Sequence, residues 1–237
     1  KIGNSVVTSW DGKNRYQHIQ TGSAGVRRLI RSFKEGDSVY FFSVVPELSA
    51  VLKALSKKLR IFCREVRVKD LPIRPAYQKN IGIDRLMNVF SASTMATQNF
   101  AVVDFGTAVT VDFFSFPRTH LGGWIFIGPD LALKTLSRQT AKLPALTPRS
   151  IQKKFGKTTE QSLQIGQRAY LHGMILEVTA VAKKYFGRHF EIFATGGGAR
   201  LLPKAEARRV KNLGLRGLKI WVTKKFYGEA AASRTRT

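Results

Sequence analysis

Cysteine is almost absent from this chain. Cys63 is the single one in 237 residues, so no disulfide can close within the chain, and a reducing cytoplasm is the expected setting. It falls in a strand-like run, Arg60-Ile61-Phe62-Cys63, and reads as a small core residue. Acidic residues are also scarce: 15 Asp and Glu stand against 40 Lys and Arg, a formal net charge of +25. No uncharged apolar run reaches the roughly 18 residues that a membrane-spanning helix needs, so no membrane partner is expected. The opening Lys1-Ile2-Gly3-Asn4-Ser5 lacks the apolar core of a signal peptide. Zinc-ligand spacing, Arg/Gly tracts and an aromatic RNA-binding signature are all missing, which argues against the common specific nucleic-acid modules.

What is present fits a globular protein of one large or two small domains, with an ordinary 43% apolar content. The positive charge is not a tail effect. Residues 1–150 hold 22 basic against 10 acidic side chains, and residues 151–237 hold 18 against 5. Such a surface attracts anions, and non-specific nucleic acid is the plainest partner. Compositional drift would give the same number.

Two short stretches organise the chain, Gly82-Ile83-Asp84-Arg85 and Asp104-Phe105-Gly106-Thr107-Ala108. Residues 86–98 between them read as a helix, 100–104 as a buried strand and 108–114 as the strand returning from it. Gly106 would sit in the tight turn, where a missing Cβ lets a bulky anion approach the backbone. Asp104 would then offer a carboxylate to a cation, and Thr107 a hydroxyl and an N–H to a phosphate. A hairpin whose Asp and Gly only make the turn fits the same residues.

Around these stretches the pattern alternates. Gly3-Asn4-Ser5 is a glycine turn, and Asp11-Gly12 is a hairpin signal. Residues 23–34 predict an amphipathic helix capped by Ser23, with Val26, Leu29, Ile30 and Phe33 on one face. Strands are expected at 39–45 and 60–68, with a helix from Pro46 to about Lys58 between them. Residues 70–81 read as a loop and 122–129 as a short strand between loops. A helix from Asp130 to Lys142 precedes a basic loop at 145–158. Residues 159–186 predict a long helix, apolar at Leu163, Ile165, Ala169, Leu171, Ile175, Val178 and Val181, with Gly166 and Gly173 suggesting close helix packing. A strand at 190–194 leads into the glycine loop 195–199, and residues 213–222 close the ordered fold. Strand, glycine turn and strand thus occur twice, near residues 1 and 104. This predicts an α/β protein with two halves, 1–98 and 99–237, facing each other over a cleft bordered by glycine turns suited to nucleotide phosphates.

Together these motifs resemble the type III pantothenate kinase family, part of the actin-like superfamily of acetate and sugar kinases. The matching runs are Ile2 to Ser5, Ser43 to Pro46, Gly82 to Arg85, Asp104 to Thr110, Gly122 to Gly128, Thr140 to Pro144, Gly156 to Thr159, Thr195 to Gly198 and Leu213 to Leu218. The resemblance implies two duplicated ribonuclease-H-like halves around a central cleft. It implies phosphorylation of pantothenate by ATP to 4'-phosphopantothenate, the first step of coenzyme A biosynthesis, in a cytoplasmic homodimer with the substrate pocket at its interface. It makes Asp84 the general base on the pantothenate hydroxyl. Gly82, Ile83 and Arg85 would frame the substrate, with Arg85 on its carboxylate, and Thr159 would hydrogen-bond it. Gly3, Asn4, Ser5 and Thr107 would meet ATP phosphate, Gly196 and Gly197 the nucleotide, and Asp104 a monovalent cation, potassium or ammonium.

Each role has a plainer counterpart. Asp84 sits where a helix N-cap belongs, Arg85 could be a solvated helix residue, Thr159 could cap the long helix, and Gly196 to Gly198 could be a simple turn. The chain also departs from the family at two places. The family's first acidic residue aligns with Lys1, and a lysine supplies no ligand to Mg²⁺. The family's Tyr-x-Asn-Pro run before Gly82 is shortened, leaving Tyr77 and Asn80 as the nearest candidates for substrate contact. The charge and Lys1 keep open an alternative: a catalytically impaired relative that binds nucleic acid or a regulatory partner.

Overall fold

A computed structural model describes residues 1–3, 6–10, 16–77 and 80–234. In chain order the elements are β1 (Val6–Trp10), β2 (Tyr16–Gln20), α1 (Ser23–Ile30), β3 (Ser38–Phe41), α2 (Pro46–Lys58), β4 (Phe62–Glu65), α3 (Ile83–Ser93), β5 (Asn99–Phe105), β6 (Ala108–Ser115), β7 (Thr119–Ile127), α4 (Pro129–Gln139), α5 (Thr159–Phe186), β8 (Phe190–Thr195), β9 (Arg208–Arg209) and α6 (Leu213–Arg234). The fold is mixed α/β, and the chain divides into two compact units. Unit 1 is Lys1–Ile73, Tyr77–Ser91 and Leu213–Thr237; unit 2 is Arg74–Ala76 and Ala92–Asn212.

Unit 2 is built on a five-stranded sheet ordered β7-β6-β5-β8-β9. β5, β6 and β7 form an antiparallel meander, whereas β8 joins β5 in parallel and β9 joins β8 in parallel. This mixed sheet is the α/β architecture that the alternating pattern predicts, and its order is the ribonuclease-H-like one that the family resemblance implies. β5 is apolar on both faces, with Phe100, Ala101 and Val103 fully buried, and β6 buries Val109 and Val111 beside it. α5 covers one face with Leu171, Met174, Ile175, Val178 and Ala182, a stripe at the helical spacing.

Unit 1 runs in chain order through two strands, a helix, a strand, a helix and a strand, followed by α3 and, from the far end of the chain, α6. β1 and β2 pair antiparallel, Val6 opposite Gln20 and Trp10 opposite Tyr16; the expected Asp11-Gly12 turn lies outside the described residues. β3 and β4 pair in parallel, and Ile2 bridges Ser43 in parallel. α1 and α2 cover them with Val26, Ile30, Leu48 and Leu52.

Several expectations need correction. Ser23 does not cap α1; Gly22 holds that place and no side chain caps the helix. β3 stops at Phe41 because Ser43 turns the chain, its hydroxyl accepting from the Val45 N–H at 3.0 Å. β4 is likewise shorter than the expected 60–68. β7 begins at Thr119, three residues early, and α4 begins at Pro129 and ends at Gln139. Ala169 on α5 is exposed rather than inward. Gly166 and Gly173 do not mediate close helix packing, since a Cβ at either would meet nothing within 4 Å. α6 continues to Arg234, past the expected end of order at 222. It packs in unit 1, where Gly217 comes so close that a Cβ would stand 2.7 Å from the Met87 carbonyl, and the Trp221 indole N–H donates to the Asp70 carbonyl at 2.9 Å.

Candidate active site

In unit 1 the candidate residues gather at the start of α3. Gly82 precedes the helix, and its carbonyl accepts from Arg85 N–H at 3.1 Å. Asp84 therefore stands in the first helical turn rather than at the cap, and its Oδ1 accepts from Arg85 N–H at 2.9 Å. A carboxylate there is favoured by the helix dipole. Gly82 leaves room for it, because a Cβ at that position would lie 2.6 Å from Asp84 Oδ1. Ile83 is buried beneath the turn. Arg85 is buried too, an uncommon state for a cation. Its Nη1 donates to the Tyr77 hydroxyl and its guanidinium lies 5.8 Å from the Tyr77 ring centre. Asn80 adopts a left-handed backbone, φ 62°, at the bend leading to Gly82. Gly3 is buried and its carbonyl accepts from Thr21 Oγ1 at 2.7 Å. Asn4 and Ser5 lie outside the described residues.

In unit 2 three glycine-bearing turns converge on the end of β5. Asp104 pairs with Thr110 on one side and Thr195 on the other. Gly196 follows with φ 84°, a conformation that favours glycine, and a Cβ there would lie 2.5 Å from both Asp104 Oδ1 and the Phe105 carbonyl. Gly128 closes the other flank. Its N–H donates to the Thr107 carbonyl at 3.0 Å, and a Cβ would lie 2.3 Å from the Gly106 and Thr107 oxygens. Gly106, Thr107, Gly196 and Gly197 are all exposed, and nothing lies within 4 Å of a Cβ built on Gly197. The result is a backbone-lined cradle beside one carboxylate, open to an anion from solvent. The structure thus brings Asp104, Thr107, Gly196 and Gly197 together.

A hard monovalent cation takes oxygen donors, and Asp104 with the neighbouring carbonyls is an all-oxygen set. Among the described residues no group of three or more His, Cys, Asp and Glu is placed to hold a metal ion. Mg²⁺ would thus find one carboxylate here and need substrate phosphates for the rest, its usual mode in phosphoryl transfer.

Thr159 is the first residue of α5 but not its cap. Thr158 takes that role, its hydroxyl accepting from Gln161 N–H at 3.2 Å. Thr159 lines an open groove of about 920 Å³ with Leu133, Leu136, Ser162, Gln167 and Tyr170. Burial raises the Tyr170 phenol above its ordinary pKa, and its hydroxyl donates to the Ile127 carbonyl at 3.2 Å. Ile127 adjoins Gly128, so the groove and the cradle share one strand end. Sequence reasoning passed over Gln167, whose Nε2 is buried without a protein partner. It also missed the buried pair Asp112 and His120, 2.8 Å apart across β6 and β7. A carboxylate inside the strand-like run 109–114, whose other residues are Val, Thr and Phe, was the available signal for Asp112.

Comparison with known proteins bears on the family. The family model for type III pantothenate kinase matches residues 3–181. A type III pantothenate kinase of Idiomarina loihiensis is 30% identical over 78% of this chain and 74% of its own. One from Persephonella marina is 34% identical over 68% of this chain and 65% of its own. Among solved structures, a Campylobacter jejuni protein described as belonging to the Baf family of transcriptional activators superposes with a TM-score of 0.68, covering 94% of this chain and 96% of its own at 22% identity. That likeness speaks to the fold. With the family model spanning the motifs from Gly3 to residue 181, near the end of α5, the chain belongs to the type III pantothenate kinase family.

Proposed function

We propose that the protein transfers the γ-phosphoryl group of ATP to the hydroxyl of pantothenate, giving 4'-phosphopantothenate, the opening step of coenzyme A biosynthesis in the cytoplasm. The cradle around Asp104 carries this reading: exposed backbone at Gly106, Thr107, Gly196 and Gly197 meets one carboxylate, the arrangement that phosphate oxygens and a cation need together. Thr107 and the glycine turns hold the ATP phosphates, with Gly3, Asn4 and Ser5 as further contacts. Asp104 holds potassium or ammonium. Mg²⁺ arriving with ATP neutralises phosphate charge. Phosphoryl transfer asks mainly for positioning and charge neutralisation. Asp84 accepts the hydroxyl proton as the bond to phosphorus forms. Arg85 pairs with the substrate carboxylate, and Tyr77, Gly82, Ile83 and Thr159 shape the pocket. The two halves, 1–98 and 99–237, are a duplicated ribonuclease-H-like unit.

A second copy of the chain covers the groove along α4 and α5. Leu131 and Leu136 are about 40% exposed there, and the buried Gln167 Nε2 awaits an acceptor, which supports a homodimer. The test is ADP release with pantothenate, with and without potassium or ammonium, on protein whose dimeric state has been measured. Turnover that needs both pantothenate and the cation supports the reading; a dimer that releases no ADP overturns it.

The charge favours one other reading, a binding role towards nucleic acid. Residues 131–159 hold seven Lys and Arg and no acidic residue. Binding that discriminates sequences by more than about 10³ at physiological salt would support it. Weak, uniform binding that disappears at moderate salt would reduce it to charge alone.

A further inference from the structure

Asp112 and His120 are nearly inaccessible to solvent, at 1% and 0% exposure. Their β6 neighbours Val109, Val111 and Phe114 are fully buried and apolar. Burying such a pair costs desolvation, and apolar residues of similar volume usually serve a core as well or better. The pair therefore calls for a role beyond stability.

That role is visible on the far side of the ring. His120 Nδ1 faces the backbone N–H of Ala76 at 3.4 Å. An N–H can only donate, so Nδ1 is the acceptor and the ring proton sits on Nε2, directed at Asp112 Oδ1. Backbone bonds continue the tether: Arg74 N–H donates to the Arg118 carbonyl at 2.9 Å, and His120 N–H donates to the Arg74 carbonyl at 2.9 Å. Residues 74–76 are thus fastened to the start of β7. The next residue is Tyr77, the partner of Arg85.

We infer that His120, oriented by Asp112, is a positioning residue for pantothenate binding: it anchors Ala76 and thereby fixes where the chain presents Tyr77. The inference rests on the pantothenate kinase reading and adds to it a residue pair that touches none of the proposed substrate contacts directly. Asp112 sets the ring's tautomer and rotation, as a carboxylate does for a metal-ligating or catalytic histidine. His120 holds the Ala76 N–H. Ordering this segment before substrate arrives removes part of the entropy cost of binding.

The test uses the full chain with two variants. Asp112→Leu/His120→Phe removes both polar groups at once and keeps the core filled. Ala76→Pro deletes the donated N–H at an exposed position and leaves the core pair intact. The readouts are hydrogen–deuterium exchange over residues 72–77 and steady-state kinetics for both substrates. In the double variant, exchange at Ala76 accelerates at least about tenfold while β5 amides are unchanged. In both variants KM for pantothenate rises about 3- to 10-fold, the worth of one hydrogen bond, while kcat and KM for ATP stay within about twofold. Unchanged exchange at Ala76 in the double variant overturns the inference, and so does an unchanged KM for pantothenate in Ala76→Pro. Wild-type protein that turns over ATP with no pantothenate dependence counts instead against the proposed function, and the exchange result then decides the anchor by itself.

Discussion

Arg85 and Tyr77 form a hydrogen-bonded pair, the guanidinium lying 5.8 Å from the ring centre and donating through Nη1 to the phenol oxygen. A buried arginine held by a tyrosine is a preorganised fork for a carboxylate. Tyr77→Phe, which keeps the ring and loses the hydrogen bond, is expected to raise KM for pantothenate about 3- to 10-fold. Arg85→Lys is expected to cost more, since an ammonium cannot offer the planar bidentate geometry. Steady-state kinetics with pantothenate and with pantothenol, the analogue lacking the carboxylate, check both. The Arg85 effect should shrink with pantothenol.

Gly196 and Gly197 should respond differently to alanine. At Gly196 the backbone is left-handed and a Cβ would strike Asp104 and Phe105, so Gly196→Ala should lower stability by about 1–3 kcal/mol. At Gly197 a Cβ meets nothing of the protein, so Gly197→Ala should leave the melting temperature in place and weaken ATP alone. Thermal unfolding and ATP titration, run side by side, separate the two.

Thr158 caps α5, and its hydrogen bond holds the Glu160 carboxyl below the usual glutamate pKa. A carboxylate whose folded pKa is depressed adds stability above its unfolded pKa and loses it as pH falls through the folded value. Thr158→Ala should cost about 1 kcal/mol at neutral pH and flatten the acid limb of the stability curve. Urea melts between pH 7 and pH 3 measure both effects.

Much of the fold could be read from local chemistry. Pro46 sets the start of α2, and the apolar spacing of α5 locates it at residues 159–186, both as expected. The turns of the cradle were legible from Gly106 and Gly196 at the ends of apolar runs, but Asp and Gly are ordinary turn residues, so their convergence around Asp104 was visible only in the structure. What escaped depends on distant partners. α6 contains Gly214 and Gly217, which weaken any helical expectation; they are accommodated because Phe42, Asn88 and Met87 press against them. The Asp112–His120 pair depends on the register of β6 on β7, which shifts between Phe113 and Phe114, and no sequence pattern encodes such a shift. Asp84 also suited a helix cap; only the backbone bonds accepted by the Gly82 carbonyl place it inside the first turn, as the second residue of α3.

Asp84 tests the central claim most directly. Pantothenate-dependent ADP release should be measured for the wild-type dimer and for Asp84→Asn, an isosteric change that keeps a hydrogen-bond acceptor and removes the base. The account predicts turnover in the wild type and a loss of at least about 10²-fold in the variant, with ATP binding preserved. An Asp84→Asn protein that phosphorylates pantothenate as fast as the wild type would contradict it.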